Sequence, residues 1–251
     1  MIELKGLNVG YKGKEILKDI RFFIPPGKMS VLLGRNGAGK STLIRTIAGI
    51  HENYNGEILI DGVPVNSMSR RQRAKKLSVV LTQYPQMPLT VDEIIASGRI
   101  PFTNSLFRLN DEDRRIISET VAWLRLEPYS GRMFSSLSDG EKQRVMIARA
   151  LVQQTPVLLL DEPASHLDLP AMAEILVWLK RLASGGKTVL FSTHRFDFIF
   201  DLADYLILLD RGKAYAGTTE EILQLGRFQE VFRGEFLIFD EENRIFKLKS
   251  G

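Results

Sequence analysis

The chain has 251 residues, 44% hydrophobic and 25% charged, the balance of an ordinary soluble globular protein and enough material for one large α/β domain or a core with a subdomain. It has no cysteine, which excludes disulfides, thiolate metal sites and thiol catalysis; its formal net charge of +4 reads as a solvated surface, with attraction to phosphate or an anionic membrane face as the weaker alternative. No apolar run approaches bilayer-spanning length, and the opening Met1-Ile2-Glu3-Leu4-Lys5 lacks the charged-then-apolar pattern of a signal peptide, so neither a channel of its own nor export is expected.

Ile2, Leu4, Leu7 and Val9 open a region of strands over residues 2–33. It continues from Ile16 to Ile24, turns at Pro25-Pro26-Gly27, and ends in the short apolar run Met29 to Leu33, expected to be a buried strand. Directly after it, Gly34-Arg35-Asn36-Gly37-Ala38-Gly39-Lys40-Ser41 is a full match to the phosphate-cradling loop G-x-x-x-x-G-K-[ST]. A helix from Lys40 to about Ala48, stopped by Gly49, follows. Such a loop needs glycine because its backbone N–H groups must converge on one anion, and the helix adds its positive end. Lys40 would neutralise the β- and γ-phosphates, and Ser41 would offer its hydroxyl to Mg²⁺. A chance glycine turn is the bland alternative; the strand before the loop and the helix after it argue against one.

Glu57-Ile58-Leu59-Ile60 gives another strand, turned by Asp61-Gly62, and Leu77 to Leu81 a further buried one leading to Gln83. Beyond Tyr84 to Pro88 the pattern turns helical. Thr90 and Glu93 have capping-box spacing and start a helix to about Ser97. Asn110-Asp111-Glu112-Asp113 puts acids on the first turn of the next helix, whose Ile117, Val121 and Leu124 recur at helical spacing. Residues from about 84 to 155 therefore read as a helical subdomain inserted into an alternating β/α pattern. Alternation resumes with a strand from Val157 to Leu160 and a helix from Pro170 that carries Met172, Ile175, Leu176, Leu179 and Leu182 and closes at Gly185-Gly186. Strands Thr188 to Ser192 and Tyr205 to Leu209 follow, and a hairpin over about 236–248 turns at Asp240-Glu241-Glu242-Asn243.

Asp161 and Glu162 come at the end of the Val157–Leu160 strand, at the carboxyl edge where open α/β sheets bind ligands. Adjacent strand residues point to opposite sides, so the two acids are expected to have separate tasks. Asp161 would hold Mg²⁺, directly or through water, and Glu162 would orient and deprotonate the attacking water. Read in isolation they are a solvated strand-end charge pair; the phosphate loop makes that reading weak.

Leu137-Ser138-Asp139-Gly140-Glu141 resembles the signature sequence LSGGQ of the ABC ATPases. Leu158 to Pro163, Ser165-His166-Leu167-Asp168, Gln83 and His194 fall in the order and spacing of that family's subunits, so the resemblance covers essentially the whole chain. It implies a P-loop NTPase (RecA-like) α/β core with an N-terminal antiparallel β subdomain and the inserted α-helical subdomain, together one ABC ATPase domain over residues 1–251. It implies ATP and Mg²⁺ as cofactors, with Gly34, Arg35, Asn36, Gly37, Ala38, Gly39, Lys40, Ser41 and Thr42 around the phosphates. It also implies a site completed by a second copy of the chain: Ser138 and the Gly140 backbone would reach the γ-phosphate held by the other copy, and Asp168 lies on the loop that crosses the interface. Gln83 would meet Mg²⁺ and water and link the insert to the core, although a Gln after a strand is by itself more often a polar cap. His194 matches the family's switch histidine, where a lone strand-end His would be structural. Tyr11 resembles the aromatic on which the family stacks adenine; from the residues alone, a strand-edge Tyr packing locally accounts for it equally well. Asp139 and Glu141 depart from the Gly and Gln of the commonest signature, and acids near a phosphate are unfavourable unless they point away. His51 and His166 are given no catalytic role, and His51 reads as a surface residue.

Within the family, the leading expectation is the ATP-hydrolysing subunit of a membrane importer. It would sit peripherally on the cytoplasmic face of the inner membrane, against integral permease subunits, and be served indirectly by a substrate-binding protein. Ser97 to Phe102 and the LSDGE variant resemble uptake systems for iron–siderophores, haem or cobalamin. The alternative is a soluble ABC ATPase not coupled to transport, such as an iron–sulfur cluster assembly ATPase. DNA-repair members carry long coiled-coil insertions and translation factors carry two phosphate loops; the chain has neither, and no nucleic-acid partner is expected. A P-loop GTPase switch has no role for LSDGE. The groove beside Gln83, with the segment near Arg99 and Pro101, is expected to receive a short cytoplasmic helix of the permease.

Overall fold

The structure, a computed structural model, describes residues 1–11, 13–82, 87–103, 108–165, 167–196, 198–232, 234, 237–240 and 243–248. The chain runs β1 (Ile2–Tyr11), β2 (Lys14–Ile24), β3 (Met29–Gly34), α1 (Lys40–Ile47), β4 (Tyr54–Ile60), β5 (Val63–Pro64), α2 (Arg70–Lys76) and β6 (Leu77–Val80). Then come α3 (Val91–Ser97), α4 (Asp111–Trp123), α5 (Asp139–Leu151), β7 (Val157–Asp161), α6 (Leu169–Ser184), β8 (Thr188–Ser192), α7 (Ile199–Leu202), β9 (Tyr205–Asp210) and β10 (Lys213–Thr218). The last elements are α8 (Thr219–Gln224), α9 (Arg227–Val231), β11 (Leu237–Asp240) and β12 (Ile245–Leu248).

The strands form an antiparallel sheet in the order β2-β1-β4-β5, a six-stranded sheet in the order β10-β9-β3-β8-β7-β6, and the pair β11-β12. In the large sheet only β10 runs antiparallel to its neighbour. This is the expected α/β core with an N-terminal antiparallel sheet and a helical region between β6 and β7.

β3 is buried at every position, and alternate side chains feed two different cores. Met29, Val31 and Leu33 join Val145 of α5 and Ile175 and Leu179 of α6 on one face. On the other, Leu32 meets Leu43, Ile44 and Ile47 of α1 and Leu4 and Leu17 of the antiparallel sheet. Burial on both faces is why the strand reads as an unbroken apolar run. It also fixes where β3 ends, so the phosphate loop emerges at the carboxyl edge of the sheet.

Helix α2 is absent from the sequence reading. Arg70 to Lys76 buries no residue, so it has no apolar period to detect; a capping box of Ser69 and Gln72 starts it instead. The same device starts α3 (Thr90, Glu93), α4 (Asn110, Asp113), α5 (Ser138, Glu141) and α8 (Thr218, Glu221). The expected hairpin is present as β11 and β12, held by an aromatic cluster in which Phe239 and Phe246 join Phe196, Phe200, Phe228 and Phe232. Its central turn residues, Phe236, His166 and the segment Gln83 to Gln86 lie outside the described residues.

Arg99, expected beside a docking groove, is buried instead of presented to solvent. It is 6% exposed; its Nε donates to Asp113 Oδ1 at 2.7 Å and its Nη1 to the Val152 carbonyl at 2.8 Å. Phe102 covers the guanidinium, 4.3 Å from its ring centroid. Arg99 thus fastens the start of α4 to the end of α5. Burial pushes the Asp113 carboxyl up, but the Asn110 N–H and Arg99 outweigh it and hold the group below the ordinary carboxylate range. Arg99→Ala would strand that carboxylate and is expected to lower the unfolding free energy in denaturant by about 3–5 kcal/mol; a loss under about 1 kcal/mol would contradict the clamp. Because the folded pKa is depressed, the stabilisation from Asp113 is present above the unfolded value near ~3.9 and is lost as pH falls through the lower folded value.

Candidate functional site

The loop 34–39 connects β3 to α1, so the unpaired N–H groups of the first turn of α1 are turned toward it. Gly39 caps the helix at φ 99°, a left-handed conformation, and a Cβ there would lie 2.9 Å from Leu17 Cδ2. At Gly34 a Cβ would lie 2.8 Å from the Leu209 carbonyl oxygen, so the close approach of β9 also demands glycine. Lys40 is 6% exposed and its Nζ donates to the Gly34 carbonyl at 2.9 Å and the Arg35 carbonyl at 3.4 Å, which lays the ammonium across the loop. Burial pulls its pKa below the ordinary lysine value, against the raising influence of Glu162 and Asp161. A buried cation in this setting favours an anion beside it. Arg35 and Asn36 are exposed, while Ser41 and Thr42 are half-buried on the first turn of α1.

Asp161 closes β7 and is 1% exposed. Its Oδ1 accepts from Ser41 Oγ at 2.9 Å and from Ser192 Oγ at 2.7 Å, and its backbone carbonyl accepts from Thr82 Oγ1 at 3.0 Å. The second carboxylate oxygen, Oδ2, is buried with no hydrogen-bond partner among the described residues. A hydroxyl and an unsatisfied anionic oxygen side by side suit a hard cation such as Mg²⁺. Among the described residues no group of three or more His, Asp or Glu side chains could hold a metal, so phosphate and water oxygens would have to complete its shell.

Glu162 leaves the strand with φ 50°, a conformation that costs a non-glycine residue about 1–3 kcal/mol and is held here by its N–H donating to Ser192 Oγ at 3.0 Å. That turn separates its side chain from that of Asp161. Its Oε2 lies 2.9 Å from His194 Nδ1; an ionised carboxylate only accepts, so Nδ1 carries the hydrogen and Nε2 is left for another partner. The structure brings Lys40, Ser41, Asp161, Glu162 and His194 to one sheet edge. Ser192, which receives one hydrogen bond and gives another between the two acids, went unassigned in the sequence. Its signal was a polar residue closing an otherwise apolar strand two positions before His194.

Ser138, Gly140 and Asp168 stand apart from this edge: among the described residues no hydrogen bond joins them to residues 34–42. Ser138 caps α5 and Glu141 turns back onto it, its Oε2 accepting from Ser138 N at 2.7 Å and Ser138 Oγ at 2.8 Å. These bonds from Ser138 keep the Glu141 carboxyl below the ordinary range. Asp139 is solvent-exposed beside Lys142 Nζ at 3.6 Å. Asp168 caps α6, accepting from Ala171 N at 3.0 Å. Leu167, next to it, accepts at its carbonyl from Arg195 Nη1 at 3.1 Å, and its Cδ2 would lie 3.0 Å from a Cβ placed on Gly140. Leu167, given no role of its own in the sequence, and Arg195, not mentioned there, thus link the signature helix, the Asp168 loop and the His194 loop. Tyr11, at the tip of β1, is 42% exposed. His51 is no plain surface residue: it is half-buried, 4.3 Å from Tyr11 between ring centroids.

The family model described as ABC transporter matches residues 17–165. The chain is 38% identical to the iron(3+)-hydroxamate import ATP-binding protein FhuC of Bacillus subtilis (strain 168), over 90% of this chain and 86% of that protein. It is 35% identical to the petrobactin import ATP-binding protein FpuC of Bacillus anthracis, over 98% and 92% respectively. A solved dimeric bacterial ABC transporter cassette superposes with a TM-score of 0.78 at 28% identity, covering 87% of this chain and 99% of that one. The chain belongs to the ABC transporter family as an ATP-hydrolysing ATP-binding cassette.

Proposed function

We propose that this chain powers uptake of an iron chelate of the siderophore class, as the peripheral ATPase of an importer on the cytoplasmic face of the cell membrane. The names of the relatives at 38% and 35% identity, a hydroxamate and a petrobactin importer, support the substrate class. No helix among the described residues is long and apolar enough to cross a membrane, so integral permease subunits would supply the pathway, with a substrate-binding protein delivering the chelate. Two copies would sandwich ATP, each lending Ser138, Gly140 and Asp168 to the nucleotide held by the other; the dimeric cassette of similar fold supports this.

The observation that carries the chemistry is the hydrogen-bonded edge of Ser41, Asp161, Ser192, Glu162 and His194 beside the buried Lys40. The loop from Gly34 through Thr42 would wrap the phosphates with backbone N–H groups, and Lys40 would turn from its carbonyl partners to the β- and γ-phosphates. Ser41, Asp161 and Gln83 would hold Mg²⁺, which when bound offsets phosphate charge. Glu162 would take the proton of the attacking water, and His194, oriented by its bond to Glu162, would stand beside the γ-phosphate. Tyr11 would stack the adenine. Residues of about 84–155 would move as one inserted unit, shifting Ser138 relative to the partner's nucleotide.

Permease docking falls to the apolar side chains beside Arg99 instead of Arg99 itself. Ile100 is 47% and Phe102 36% exposed, and Arg71 ties this turn to α2 through the Pro101 and Thr103 carbonyls at 2.9 Å and 2.7 Å. Lys75 of α2, its Nζ 5.4 Å from the Phe102 ring centroid, leaves a basic rim beside them for an acidic helix end.

Glu162→Gln is expected to bind ATP with about the parent affinity while hydrolysis falls by at least ~100-fold, and to accumulate as an ATP-bound dimer in gel filtration. Hydrolysis at the parent rate would remove Glu162 from the role of base. Ser192→Ala should lower kcat by roughly tenfold or more, since it releases both acids, with a smaller change in KM. Ile100→Glu should leave the basal rate of the isolated chain near the parent's and abolish the stimulation given by permease in membranes, together with uptake of radiolabelled ferric siderophore. Equal losses with and without permease would move the docking surface elsewhere.

A further inference from the structure

Tyr11 ends β1 where it pairs with Lys14 at the tip of a hairpin, a position with little packing to hold a ring still. His51 supplies that packing. It follows α1, and its N–H donates to the Arg45 carbonyl at 3.1 Å, so its backbone is tied to the helix that begins at the phosphate loop. Its Nε2 lies 3.1 Å from the carbonyl oxygen of Gly10, the residue before Tyr11. A carbonyl only accepts, so Nε2 carries the hydrogen and the tautomer is fixed. Held this way, the imidazole lies against the Tyr11 ring with centroids 4.3 Å apart and planes inclined at 40°, while Tyr11 remains 42% exposed. Both the side chain and the peptide carbonyl of the hairpin tip are therefore gripped by one residue.

We infer that His51 is a positioning residue for the nucleotide base: anchored on Gly10, it backs the Tyr11 ring so that the open side of the ring is preset for adenine. The inference rests on the reading of Tyr11 as the adenine platform. A ring already ordered loses less entropy when the base stacks, and the gain falls on base binding alone. Stacking is made equally in ground and transition states, so its loss belongs in KM.

The test compares His51→Ala, His51→Phe, Tyr11→Ala and the double alanine variant in steady-state ATP hydrolysis, with inorganic tripolyphosphate as a base-free competitor. His51→Ala is expected to raise KM for ATP roughly 3- to 10-fold with kcat within about twofold, and to leave the inhibition constant of tripolyphosphate unchanged. His51→Phe, which keeps a ring behind Tyr11, should recover most of the loss. In the Tyr11→Ala background, His51→Ala should add nothing further. An unchanged KM in His51→Ala, with KM raised in Tyr11→Ala, would overturn the inference and leave the adenine platform standing. Parallel weakening of ATP and tripolyphosphate would overturn it too, because His51 would then be supporting α1 and the phosphate loop. If neither Tyr11→Ala nor His51→Ala moves KM, the adenine platform falls and the inference with it.

Discussion

The buried Asp161 carboxylate ties the ends of separate chain segments into one site. Its Oδ1 takes the Ser41 hydroxyl from α1 and the Ser192 hydroxyl from β8, while its backbone carbonyl takes Thr82 from the end of β6. An anion in this position is tolerable only because it is hydrogen-bonded, lies near the N-terminal end of α1 and has the Lys40 ammonium close enough to feel its charge. The dependence runs both ways. Lys40 lies below its ordinary pKa through burial, and the two acids are what oppose that shift. Ser41 and Ser192 share one Asp161 oxygen, and the Ser192 bond to the Glu162 N–H brings Glu162 into the same network.

Seen from that anchor, the rest of the molecule divides into what builds the edge and what is left open for a partner. The two cores on either side of β3 fix the sheet from which the edge extends. Ser138 and Asp168 cap their helices, and among the described residues no hydrogen bond joins them or Gly140 to their own phosphate loop. The chain of Gly140, Leu167 and Arg195 gives these two groups a physical connection beside His194. Glu141, although acidic, accepts from the Ser138 cap and from Tyr129, and Asp139 points to solvent near Lys142, so neither acid of the variant signature is left unpartnered against a phosphate.

Much of this was legible in the chain because short-range chemistry wrote it. Gly34 to Ser41, the apolar run ending in Asp161 and Glu162, the capping box at Thr90 and the acids after Asn110 each carry their geometry in a few adjacent residues. Helix α2 was hidden because none of its side chains is buried, and α7 to α9 and β10 because short elements give no period to count. Arg99 was misassigned to the surface because its partners, Asp113 and the Val152 carbonyl, are distant in sequence. Ser192 and His51 were passed over for the same reason. A serine at a strand end and a histidine after a helix have no meaning until the fold sets one between two carboxylates and the other behind a tyrosine.

The division of labour between the two adjacent acids is the centre of this account, and binding thermodynamics tests it without reference to turnover. ATP affinity should be measured by calorimetry with and without Mg²⁺ for the parent chain, Asp161→Asn and Glu162→Gln. Mg²⁺ is expected to strengthen binding equally in the parent and in Glu162→Gln, and the strengthening to fall by about tenfold or more in Asp161→Asn. The reverse pattern, with the metal dependence lost in Glu162→Gln and kept in Asp161→Asn, would contradict the assignment of the metal to Asp161 and of the water to Glu162.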